Sequence, residues 1–62
     1  MLKLYAVKVW RVSEPSENET IWVRTYTARR AQHLAVESYP GCNADALGVF
    51  IDGTWGCIGH DD

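Results

Sequence analysis

The side chains with the most reactive chemistry are few and far apart. Cys57 and His60 stand three residues apart, a spacing a metal can use, and Cys42 and His33 complete the chain's cysteines and histidines. A structural zinc site takes four ligands, commonly as two spaced pairs. The second pair is missing, so the expected reading is a small buried cysteine and a polar tail histidine, with no metal and no cofactor. A Cys–His nucleophile needs a base within hydrogen-bond reach and a pocket around both. A 62-residue domain has little volume for one. Carboxylates pair only as Glu17/Glu19 and Asp61/Asp62, in polar stretches, and the glycines at 53, 56 and 59 suit a hairpin better than a phosphate loop. No catalytic residue is expected, and no enzyme.

What remains is recognition chemistry. Trp10, Trp22, Tyr26 and Trp55, with Arg24, are the residue types that dominate binding energy at interfaces. Charge is segregated along the chain. Lys3, Lys8, Arg11, Arg24, Arg29 and Arg30 fall in patterned stretches, whereas Glu14, Glu17, Glu19, Asp45, Asp52, Asp61 and Asp62 fall in polar connectors or the tail. The net charge of −2 argues against a protein that lives on nucleic-acid phosphates, which takes a basic excess.

The elements that position these residues centre on Thr27 to Gly41, TARRAQHLAVESYPG. Ala28, Ala31, Leu34, Ala35 and Tyr39 fall on one stripe at helical spacing, with Arg29, Arg30, His33 and Glu37 opposite. Thr27 is the expected N-cap, Pro40 stops the helix, and Gly41 can take the left-handed conformation beyond it. Before the helix, Leu2 to Val12 reads as a strand with Tyr5, Val7 and Val9 facing the core and Ala6, Lys8 and Trp10 facing away. Leu4 fits that register poorly, which points to a bulge or a second small contact near the N-terminus. Ser13 to Glu19 reads as a polar loop with a mobile tip. Thr20 to Tyr26 is a second strand, with Ile21, Val23 and Thr25 inward and Trp22, Arg24 and Tyr26 outward. After the helix, Cys42 to Asp45 reads as a connector and Ala46 to Ile51 as a third strand. Asp52-Gly53 is a two-residue hairpin turn, and Thr54 to Ile58 a fourth strand. The turn sets Ile51 against Thr54, Phe50 against Trp55 and Val49 against Gly56.

These elements make one domain over residues 1–62, an α+β two-layer ββαββ fold with one helix on a four-stranded antiparallel sheet. The expected core is Val7, Val9, Ile21, Val23, Ala31, Leu34, Ala35, Leu47, Val49 and Ile51, with Ile58 on the same face. Trp10, Trp22, Tyr26, Phe50 and Trp55 are then left on the uncovered side beside Lys8 and Arg24. Three readings of that face stay open. The tail or the long hairpin folds over it, or the register is one residue off and the faces swap. It is a protein interface, sheet-on-sheet homodimers included. Or it stacks single-stranded nucleic acid, which the low basic content disfavours. The N-terminal run MLKLYAVKVW has lysines within it and fits neither a signal peptide nor a membrane span. A cytoplasmic protein with two reduced thiols and no membrane role is expected.

The run A-x-x-L-A-x-x-x-Y-P-G, with a strand pair before it and an Asp-Gly hairpin after it, resembles small proteins of phages and other mobile elements. It is most similar to the small anti-CRISPR proteins and less so to small phage inhibitors of bacterial RNA polymerase. The likeness is one of size, element order and composition, and carries no residue-level motif. It implies a non-catalytic stoichiometric inhibitor in the cytoplasm of a bacterial host, bound to a defence nucleoprotein complex and blocking DNA access. The expected contacts are Trp10, Trp22, Arg24, Tyr26 and Trp55 on the sheet, or the acidic group Glu14, Glu17 and Glu19. A single-strand nucleic-acid binder and a homodimeric structural module are the alternatives.

Overall fold

The computed structural model describes residues 2–56. Strand β1 (Lys3–Arg11) pairs antiparallel with β2 (Glu14–Thr25) on one side and β3 (Cys42–Ile51) on the other. A short β4 (Thr54–Gly56) pairs antiparallel with the end of β3, so the sheet order is β2-β1-β3-β4. Helix α1 (Ala28–Ser38) joins β2 to β3 and covers one face. This is the expected ββαββ fold. No helix among the described residues is long and apolar enough to cross a membrane.

The helix forms where its signals put it. The Thr27 hydroxyl accepts a hydrogen bond from the Arg30 N–H at 3.1 Å, satisfying one of the unpaired donors of the first turn. At the other end the Tyr39 N–H still bonds the Ala35 carbonyl, and the chain then reverses through Gly41 at φ +82°. Ala28, Ala31 and Ala35 are buried, and these short side chains let the helix lie close to the sheet. They meet Tyr5, Val7 and Val9 of β1 and Val49 of β3, with Ile21, Val23 and Tyr39 packed around them. Burying a side chain such as Val7 completely is worth about 1.5–3 kcal/mol. Among the described residues three of the seven buried apolar side chains are alanines, so this core is thin.

The structure corrects five expectations. Ser13 to Glu19 is not a free loop, because β2 begins at Glu14. Trp10 pairs with Asn18, the next pair is Arg11 with Glu14, and Pro15, Ser16 and Glu17 bulge out between them. Pro15 is tolerated because β2 is an edge strand and a bulged residue needs no ladder hydrogen bond. Cys42 to Asp45 is likewise strand, paired with Arg11 back to Lys8. The irregularity sought near Leu4 lies further on: Ala6 faces Gly48 and Val7 faces Ala46, which leaves Leu47 as the extra residue of a bulge. That bulge reverses the alternation in β3. Leu47, expected in the core, is therefore 51% exposed on the opposite side. Ile51, also expected in the core, is exposed at the hairpin end of β3, beside the Asp52-Gly53 turn.

The turn itself matches expectation. Asp52 and Gly53 both have positive φ, and the three cross-strand pairs of β3 and β4 are those the two-residue turn dictates. Ile58 and Cys57, assigned to the fourth strand, lie outside the described residues.

Candidate binding face

The face away from the helix is built in rows across the sheet. Leu4 of β1 has Arg24 beside it on β2 and Phe50 beside it on β3, and Phe50 in turn faces Trp55 on β4. The next row is Trp22, Ala6 and Gly48. Beyond it come Thr20, Lys8 and Asp45, then Asn18, Trp10 and Asn43.

The two small residues of the second row decide the shape of this face. With only Ala6 and Gly48 between them, Trp22 and Trp55 lean inward from opposite edge strands. Their ring centroids come within 5.1 Å, tilted by 36°. Phe50 meets Trp55 edge-on, at 5.0 Å and 64°. Offset or edge-to-face aromatic pairs are each worth about 0.5–1.5 kcal/mol beyond the area they bury. Leu47, pushed out by the bulge, joins the same group. Together with Ala6, Gly48 and Gly56 these residues line a shallow apolar recess of about 430 Å³. Trp22 is nevertheless 59% exposed and Trp55 45% exposed. An apolar group of this kind, left open on so small a domain, is a candidate interaction surface.

Of the residues expected to bind a partner, the structure brings together Trp22 and Trp55, with Arg24 alongside. It separates the others. Trp10 stands four residues along β1 from Ala6, roughly 13 Å at strand spacing, and is half-buried next to Lys8, Pro15 and Asp45. Tyr26 lies past the end of β2. Its ring is exposed, and its carbonyl accepts a hydrogen bond from the Tyr5 hydroxyl at 3.3 Å. The acidic group sits elsewhere again. Glu17 and Glu19 line a cleft with Val9, Trp10, Tyr39 and Cys42, at the end of the helix rather than beside Trp22 and Trp55. Arg11 donates to Glu17 at 3.1 Å, and Ser16 donates to Glu14 at 3.2 Å. The carboxylates are thus partly engaged within the hairpin. The sheet and the acidic group are two surfaces, not one.

Sequence reasoning left Leu47 and Phe50 out of the site. Phe50 was on the correct face; Leu47 was on the wrong one. The available signal was Gly48, since an isolated glycine within a strand pattern marks a bulge or a close approach. Both hold here: a Cβ at Gly48 would lie 3.3 Å from the Gly56 carbonyl oxygen and 3.6 Å from the Trp55 ring.

Among the described residues no group of three or more His, Cys, Asp or Glu side chains could hold a metal ion. Cys42 is half-buried against the core, and Cys57 and His60 lie outside the described residues. No protein-family model, curated protein or solved structure matches the chain.

Proposed function

We propose that this chain is a non-catalytic binding protein whose docking surface is the aromatic sheet face centred on Trp22 and Trp55. The observation that carries this reading is the contact between those two rings. It assembles a preorganised apolar cluster that remains about half exposed. Rigid aromatics lose little entropy on binding, and such clusters form the centres of interfaces. Arg24 at the rim supplies a charged contact of the kind that sets approach and orientation.

For the target, the likeness to small anti-CRISPR proteins supports a bacterial defence nucleoprotein complex, inhibited by blockade of its DNA-binding surface. The test is a titration of the purified protein into reconstituted CRISPR effector complexes, read by DNA binding. Inhibition by the wild type, weakened at least tenfold by Trp55→Ala, is the expected result. No inhibition of any complex removes this target class. Inhibition that survives Trp55→Ala and Trp22→Ala moves the working surface to the acidic hairpin.

A second reading rests on Arg24 and Lys8, which occupy the rows on either side of Trp22. Cations flanking an exposed aromatic pair also suit a single-stranded nucleic acid. A mobility shift with labelled oligonucleotide that weakens with salt supports it, and no shift at low salt removes it.

A further inference from the structure

We infer that β2 pairs edge to edge with β2 of a second copy of this chain, through residues 21–25, to make one continuous sheet across the dimer. The inference starts from how the sheet edges are protected. Edge strands invite pairing, and proteins blunt them by shortness, proline, bulges and charge. At the opposite edge the described part of β4 is three residues long, and the stretch of β3 that β4 leaves unpaired carries Asn43 and Asp45. The β2 edge is twelve residues long, and its protection is confined to one half. Glu14, Pro15, Glu17 and Glu19, with the bulge, all lie at or before position 19. The other half, Thr20 to Thr25, reads TIWVRT, with four β-branched residues, a tryptophan and one charge. Its outer edge is bonded to no other described strand. Ile21 and Val23 are only partly buried against the helix side, and Trp22 is exposed on the other. Both sides of this half-strand therefore have apolar surface that a neighbouring strand would cover.

The same residues choose the register. Antiparallel pairing about a two-fold axis matches residues of the same face, so the axis passes through a residue position. An axis at Arg24 sets two arginines opposite each other, which is repulsive. An axis at Trp22 draws Glu19 into the paired stretch against Thr25, which is buried. An axis at Val23 avoids both. It pairs Val23 with its own copy, Ile21 with Thr25, and Trp22 with Arg24, and it leaves every protecting residue outside. The Trp22–Arg24 pairing occurs twice and suits a guanidinium beside an indole. The helices then share one side of the joint sheet, and the two aromatic faces lie side by side on the other.

The experiment is sedimentation equilibrium over a wide concentration range, with amide hydrogen exchange at its two ends. The expected result is a concentration-dependent dimer in which the outward amides of residues 21–25 gain protection. Arg24→Asp, at an exposed position, should weaken self-association at least tenfold. A monomer at millimolar concentration overturns the inference. So does a dimer whose β2 amides exchange freely, because its interface lies elsewhere. Trp55→Ala removes a ring in contact with Trp22, so target docking is tested separately by Leu47→Ala, at an exposed position on β3 outside the paired strand. Either idea can fail alone.

Discussion

Trp22 and Trp55 are in ring contact at 5.1 Å although they belong to the two outermost strands of the sheet. Three strand spacings separate those strands, roughly 14 Å of backbone. Side chains close such a distance only by leaning over something small, and Ala6 and Gly48 are what lies beneath. The contact is therefore a property of four residues. Gly48→Val should break it, since even a single Cβ there sits 3.3 Å from the Gly56 carbonyl oxygen. The expected readout is loss of the tryptophan exciton signal in circular dichroism, as in Trp55→Phe. An exciton signal that persists in Gly48→Val would show that β4 yields freely and that the small row is incidental.

Stability and binding should separate at the aromatic face. Trp22 is 59% exposed, so Trp22→Ala forfeits part of its burial and one aromatic pair. That amounts to about 1–2 kcal/mol of folding stability. For a domain of this size each kcal/mol lowers Tm by roughly 4–8 °C. If Trp22 is a docking centre, its truncation costs at least about 2 kcal/mol of affinity, some thirtyfold. Thermal melts beside target titrations, both at a temperature where the variant is folded, decide it. Affinity loss no larger than tenfold would make Trp22 a bystander.

The opposite face responds to volume rather than to polarity. Ala31 is fully buried where the helix presses on the sheet. Leucine there adds three carbons to a filled space, and overpacking of that kind costs about 1–3 kcal/mol. A chain this short has about 3–5 kcal/mol to lose, so Ala31→Leu should leave a measurable unfolded fraction in water. Urea unfolding followed by tryptophan fluorescence measures it. A neutral result would mean the helix can lift away from the sheet, and that the alanine stripe does not set their separation.

The fold was legible where one physical signal dominated. Thr27, the alanine stripe, Pro40-Gly41 and Asp52-Gly53 each act locally, and each did what its chemistry dictates. The misplacements have two causes. Polar residues in Ser13 to Glu19 and Cys42 to Asp45 resemble loop, yet an open sheet face and an edge strand accept polar side chains at no desolvation cost. The backbone ladder to β1 can therefore extend through them. Leu47 was lost to the bulge, because one inserted residue reverses the face of its neighbours while the composition of the strand stays the same. For the site, alternation along β2 and the Asp-Gly register placed Trp22 and Trp55 on one side. Their contact was not legible, since it depends on the register of β1 against β3, which no turn encodes. The distance of Trp10 from Trp22 was hidden because it depends on the register of β1 against β2, whose hairpin carries a bulge at residues 15–17.

The helix N-terminus offers a change that should stabilise the protein. Thr27 caps the Arg30 amide, and the first turn holds no acidic residue. Arg30 stands three residues after the cap, the position from which a glutamate reaches back to the cap residue's own N–H. Arginine cannot accept that bond, and its charge opposes the positive end of the helix dipole. Arg30→Glu should therefore gain twice, by completing the reciprocal pair and by reversing the charge, for about 0.5–1.5 kcal/mol together. Arg30→Gln keeps the acceptor without the charge and should recover the first part alone. The two parts separate by salt: the dipole contribution fades in molar salt, whereas the hydrogen bond persists. Thr27→Ala should cost about 1 kcal/mol, and in that background Arg30→Glu should gain less, because the pair is reciprocal. Denaturant melts of the four single and double variants at low and high salt make the comparison. Equal gains from Arg30→Glu with and without Thr27 would mean that charge alone is at work and that the capping geometry contributes nothing to it.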